Sequence, residues 1–275
     1  MTNRSRFYLF QCLVGLVAVV LFAMPAPAQD LTFSMGENSS PGGTAAADHE
    51  ILAHTGSSTY IQHLSSLTSA LPANVDLDAL DYVNYPDNIY FSLDCDTTLS
   101  GAGAVADEDV IKWNGSAFSL AWDGSSNGLP SRVDLDALDV ISEGPLVFSF
   151  SLDASANLTG PGLVEDEDLV RWNGSAFAAS LDFDGSAEGV PSRLDLNAFS
   201  RMSGLEWVMS FDATATVDSV TFEDEDLATF NTGSATFTGL FFDGSAEGVA
   251  SAVDLDAAEA TPGQVPVKLG SLSLN

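Results

Sequence analysis

Three acidic tripeptides, Asp107-Glu108-Asp109, Asp166-Glu167-Asp168 and Asp224-Glu225-Asp226, begin 59 and then 58 residues apart. Calcium takes six to eight oxygens at about 2.3–2.6 Å, often from aspartates at i, i+2 and i+4 of a loop. Asp107 and Asp109, Asp166 and Asp168, and Asp224 and Asp226 each supply i and i+2. Asp134, Asp136 and Asp139 form a second set of similar content. On a straight strand such carboxylates stand roughly 6.5–7 Å apart, too far to share an ion. Calcium is therefore the candidate cofactor only if loops fold these groups together. A solvated acidic rim that protects strand edges and keeps the protein soluble is the competing reading.

Trp113, Trp172, Phe230 and His54 fall at equivalent places along the chain. A ring of aromatics could stack on sugar faces, which makes Trp113 and Trp172 candidate ligand-binding residues. Core packing between sheets accounts for the same pattern. Catalytic signals are poor. His49, His54 and His63 all lie near the start, with no metal-type histidine pair and no phosphate-cradling loop. Paired carboxylates leave a glycoside-active enzyme open by residue type, yet here the acids repeat instead of singling out one place.

Composition narrows the partners. The chain has 39 Asp and Glu against 8 Lys and Arg, a formal charge of −31 over 275 residues, while 45% of residues are apolar. That is enough apolar material for a core. Nucleic acid is excluded as a partner, since phosphate binding depends on Lys and Arg releasing counterions. Arg132 and Arg193, and likewise Lys112 and Arg171, recur at equivalent positions, where each is expected to pair with a carboxylate.

The elements that must position these groups come from an internal repeat. DEDVIKWNGSAF starts at Asp107, DEDLVRWNGSAF at Asp166, and a third copy at Asp224. VDLDALD starts at Val75 and Val133, LDLNAF at Leu194 and VDLDAAE at Val253, and a decayed first copy carries Phe33-Ser34-Met35 and Asp48-His49-Glu50. The units are 31–86, 89–145, 148–206 and 208–260, followed by a segment 261–275. Each holds four short strands by period-two alternation, as in Phe148–Asp153, Val110–Trp113, Phe118–Trp122 and Val133–Val140. Asn114-Gly115 predicts a type I′ hairpin between the second and third. The third strand varies in length between units, which predicts a bulge.

Tandem four-stranded units of this length predict an all-β chain, a four-bladed β-propeller, with a β-solenoid or tandem sandwiches as the alternative. In general layout the repeats resemble kelch and integrin-type FG-GAP blades. Kelch glycine pairs and a D-x-D-G-x-x-D calcium loop are both missing, so the resemblance implies architecture and no residue roles. Val265–Leu269 is the expected closing strand.

Arg4 and Arg6, the apolar run Phe7–Met24 and Ala26-Pro27-Ala28 form the three parts of a secretory signal peptide, residues 1–28. The remainder, 29–275, is one repeat domain with a single cysteine, Cys95, and so without an internal disulfide. These features predict an exported protein, extracellular or periplasmic, without membrane insertion after cleavage. They fit a non-catalytic, secreted or surface-associated binding or scaffold module stabilised by calcium, with a protein or glycan partner unspecified. A carbohydrate-binding propeller and a glycoside-active enzyme are the alternatives.

Overall fold

The computed structural model describes residues 30–84, 88–202 and 204–261. Four antiparallel sheets carry the fold. Ala258–Thr261, Asp30–Phe33, Ile51–His54 and Tyr60–His63 make the first, in that order, and Ala79–Asn84, Asn88–Ser92, Val110–Trp113 and Phe118–Trp122 the second. The third contains Leu138–Glu143, Leu146–Phe150 and Val170–Trp172, and the fourth Ala198–Arg201, Glu206–Ser210, Leu227–Asn231 and Thr236–Phe242. The strand named first in each sheet touches its counterparts in the two flanking sheets, and the cycle returns from Ala258–Thr261 to Ala79–Asn84. Those four strands surround one axis, and the molecule is a four-bladed β-propeller. A solenoid or a row of sandwiches would leave the first and last sheets apart.

Sequence units and blades are out of step by one strand. The last strand of each unit is the innermost strand of the next blade, and Val133 to Ala137 is an extended lead-in to Leu138–Glu143. The ring shuts where Ala258–Thr261 pairs antiparallel with Asp30–Phe33, Leu31 opposite Ala260. The expected closing strand Val265–Leu269 lies outside the described residues, as does the signal peptide at 1–28. Among the described residues no helix is long and apolar enough to cross a membrane.

Alternation along the second strand of each blade explains how neighbours are joined. Phe33, Phe91 and Phe150 are fully buried, and the adjoining Ser34, Ser92 and Ser151 are equally so. A buried hydroxyl needs a partner. Each serine donates to a carbonyl of the segment that leads into the next blade, Leu77, Leu135 or Leu196, at 2.8, 2.7 and 2.7 Å.

Two local expectations change and one holds. The segment Asn114 to Ala117 is a four-residue loop, not a type I′ turn, because only Gly115 has a positive φ, 88°. Asn114 Oδ1 accepts the N–H groups of Ser116 and Ala117 at 3.0 and 2.9 Å, which closes the loop through a side chain. The variable strand does carry bulges, opposite Val110 and Ile111 in the second blade and twice in the fourth blade. In the third blade the length difference breaks it down to single bridges at Phe177 and Phe183. Finally, units two to four each add a small hairpin, such as Thr97–Leu99 with Gly103–Val105. Three-residue strands are too short for alternation to announce them.

Candidate metal centre

The VDLD segments run toward one end of the propeller axis. Leu77, Leu135, Leu196 and Leu255 are fully buried, so the residues on either side of each leucine turn away from the core. Backbone bonds fix the path: the carboxylates of Asp94, Asp153 and Asp212 accept the N–H groups of Asp76, Asp134 and Asp195 at 2.7, 2.7 and 2.9 Å. The outcome is a cavity of about 210 Å³ lined by six aspartates and Asn197, among them Asp78, Asp136, Asp195 and Asp256.

Among the described residues no lysine or arginine is ion-paired to this ring, although the charge of Arg132 reaches Asp153 at its edge. Among the described residues the ion pairs of Lys and Arg go to Glu143, Asp182 and Asp139, none of which lines the cavity. Burial first, then the neighbouring carboxylates, pushes Asp78 and Asp256 up to about 9 and Asp134 and Asp195 to about 8. Asp136 is held well above the usual carboxylate range for the same reasons. Packed acids without a counter-charge hold protons or attract cations. Oxygen donors alone, several to a cavity, suit a hard cation such as calcium.

A second acidic layer lies on the innermost strands. Asp81 accepts the N–H of Val140 in the next blade at 2.7 Å, Asp139 that of Arg201 at 3.0 Å, and Ser200 that of Ala260 at 3.1 Å. Innermost strands have no neighbouring strand across the axis, so these side chains satisfy backbone groups that would otherwise be orphaned. Asp139 therefore does not join Asp134 and Asp136. Arg201 neutralises it instead.

The tripeptides divide by position. Asp107, Asp166 and Asp224 do not line the cavity, but their charges raise Asp134, Asp195 and Asp254 beside it. Asp109, Asp168 and Asp226 do not converge there. Their two oxygens accept backbone N–H groups at 2.9–3.0 Å, in the first case from Ala106 and Gly124. They are loop clamps, because both oxygens are committed to the backbone. The clamp presses the middle glutamate onto the following glycine, and a Cβ at Gly124, Gly185 or Gly244 would come within 2.2–2.6 Å of that glutamate's carbonyl oxygen.

Trp113 and Trp172 are 5% and 6% exposed and pack on Phe118 and Phe177 with ring centroids at 4.7 and 5.4 Å. Neither presents a face for a sugar, so both belong to the core and not to a ligand site. Gly124 to Gly128 spells G-x-S-x-G, but Ser126 stands on a one-turn helix capped by Asp123, where later units carry Ala187 and Ala246. It is not a nucleophile elbow. The sequence reading overlooked Asp78, Asp195 and Asp256, although VDLD recurs in nearly every unit.

Fold and site together define a four-bladed β-propeller with an acidic axial cavity. No family model and no curated protein matches the chain. Among solved structures it is similar to the β-propeller domain of Cps50 (Swd1) from Myceliophteria thermophila, at 10% identity and a TM-score of 0.26, over 70% of this chain and 55% of that one. The chain thus spans just over half of that domain's length. It is also similar to a chain of the nidogen/laminin complex, at 7% identity and a TM-score of 0.39, over 86% of this chain and 100% of that one. At such identities nothing about ligand or activity passes to this protein.

Proposed function

We propose that the protein is an exported, non-catalytic propeller that acts as a binding or scaffold module, with calcium held in the acidic end of its axis as a stabilising ion. The observation that carries this reading is the axial cavity, in which six aspartates face one another with no lysine or arginine paired to them among the described residues. The acids recur with the blades, which fits a structural ion better than a reacting pair. Calcium bound there would cancel the repulsion that the fold otherwise has to bear, and would leave the blade rims free for a neutral or cationic partner.

Thermal melting of the mature chain, in millimolar calcium and in chelator, tests the reading. A ligand at 100 times its Kd adds about 2.7 kcal/mol to stability, so the midpoint in calcium should rise by several degrees. An unchanged midpoint would remove calcium from the function.

A further inference from the structure

We propose that Asn114 is a site of self-modification, at which the backbone nitrogen of Gly115 closes on the Asn114 side chain and turns its amide into an acid. The chain has three Asn-Gly pairs, at Asn114, Asn127 and Asn173. Asn114, Gly115, Ser116 and Ala117 are all exposed at the tip between Val110–Trp113 and Phe118–Trp122, so water and base reach them.

The chemistry asks two things of the fold. The Gly115 nitrogen must be free to lose its proton to solvent base and attack Asn114 Cγ. The side-chain oxygen must meet donors that hold the charge it gains as the tetrahedral adduct forms. As the new C–N bond forms, the bond to the amide nitrogen breaks; that nitrogen takes up a proton and leaves as ammonia, and a succinimide ring remains. Water then opens the ring at either carbonyl, to aspartate or to isoaspartate, with no oxidant or reductant involved. Nucleophile and electrophile sit on adjacent residues, so their placement governs the rate.

Of the three pairs Asn114 alone combines both conditions. Its Oδ1 accepts the Ser116 N–H and hydroxyl at 3.0 Å each and the Ala117 N–H at 2.9 Å. Among the described residues the Gly115 N–H has no acceptor. Asn173 lies in the same hexapeptide, Trp-Asn-Gly-Ser-Ala-Phe, with the Gly174 N–H equally free, but no donor reaches its Oδ1. Asn127 has neither feature. The Gly128 N–H is bound to the Ser125 carbonyl at 3.2 Å, and the Asn127 amide donates to the Asp123 carbonyl at 2.7 Å. Asn231, at the matching tip of the fourth blade, has the donors, the N–H groups of Gly233 and Ser234 at 3.0 and 3.1 Å. Its neighbour, however, is Thr232, whose N–H is bound to the Leu205 carbonyl at 2.8 Å. Conversion at Asn114 adds a negative charge, and isoaspartate also moves a side-chain carbon into the main chain of the loop.

The mature protein, kept folded at mildly alkaline pH and sampled over weeks, is digested and read by peptide mass spectrometry, with aspartate and isoaspartate resolved by chromatography. Asn114 should convert at least about ten-fold faster than Asn173, and Asn127 and Asn231 should stay amides longest. Ser116→Ala, which removes one donor from an exposed tip, should slow Asn114 and leave Asn173 unchanged. In guanidinium the unfolded chain should convert Asn114 and Asn173 at one rate, because the two hexapeptides are identical. Equal rates in the folded protein would overturn the inference. So would an Asn114 advantage that survives unfolding or is untouched by Ser116→Ala.

Discussion

Asp139 and Arg201 join two neighbouring blades twice over. One oxygen of Asp139 accepts the Arg201 backbone N–H at 3.0 Å, and the other pairs with the guanidinium. The same guanidinium reaches Asp182 at 2.9 Å and lies over Phe199 and Trp207. One cation thus bridges two acids, of which Asp182 also pairs with Arg171 at 2.7 Å. Arg201→Met should cost about 3–5 kcal/mol, because Asp139 is left uncompensated. Asp139→Asn keeps the backbone bond and should cost less. Urea midpoints measure both, and an Arg201→Met protein close to wild type would show that this pairing is dispensable.

Glu259 gives the second layer its pH dependence. Burial, then the charges of Asp81 and Asp139, holds Glu259 well above the usual carboxylate range, and burial raises Asp81 to about 7. The folded protein keeps a proton that the unfolded chain releases near pH 4.5. Stability from this pair is therefore full in acid and is lost as pH rises through the folded-state values. Glu259→Gln mimics the protonated side chain, since its amide can donate to Asp81 while its oxygen accepts from Ser200, which bonds Glu259 at 3.0 Å. In chelator, the variant should gain roughly 1–3 kcal/mol over wild type at pH 8 and little at pH 5. Equal gains at both values would place the effect outside this titration.

Gly185 tests the clamp on the tripeptide. Its φ is not positive, so only space forbids a side chain, and an added Cβ would lie 2.4 Å from Glu167 Cγ. Gly185→Ala should destabilise by about 1–3 kcal/mol. Gly239→Ala, at a strand position with nothing within 4 Å, should be neutral or mildly stabilising. Denaturant titration of the pair gives the comparison, and equal effects would contradict the close approach.

Trp172 separates packing from recognition. Its ring touches Trp122 and Phe177 at centroid distances of 5.4 Å in each case. Trp172→Ala should cost about 3–5 kcal/mol. A variant as stable as wild type that had lost sugar binding would restore the lectin reading.

The blades were legible because their signals are short-range and repeated. Phe-Ser-Leu alternation, the tripeptides and VDLD recur at nearly fixed spacing, and strands such as Val110–Trp113 follow directly. Register between units was not legible. Whether Leu138–Glu143 finishes one sheet or begins the next depends on which strand it meets, and both lie within reach of the same chain. The site was half visible for a related reason. Asp107 and Asp109 look alike in sequence, but a Gly124 N–H, fifteen residues away, takes one of them as a clamp and leaves the other for the acidic face. Arg201 and Glu259 face their partners only because the innermost strands converge.

The seam between Ala258–Thr261 and Asp30–Phe33 has a kinetic meaning. Thr32 and Glu259, which meet across it, are 227 residues apart. During synthesis the first blade waits without its innermost strand, and Leu31 and Phe33 stay uncovered until the other three blades have been made. Contacts at such separation are slow to form. The ring is a clasp fastened last, and a chain whose clasp is still open can be threaded through a narrow pore.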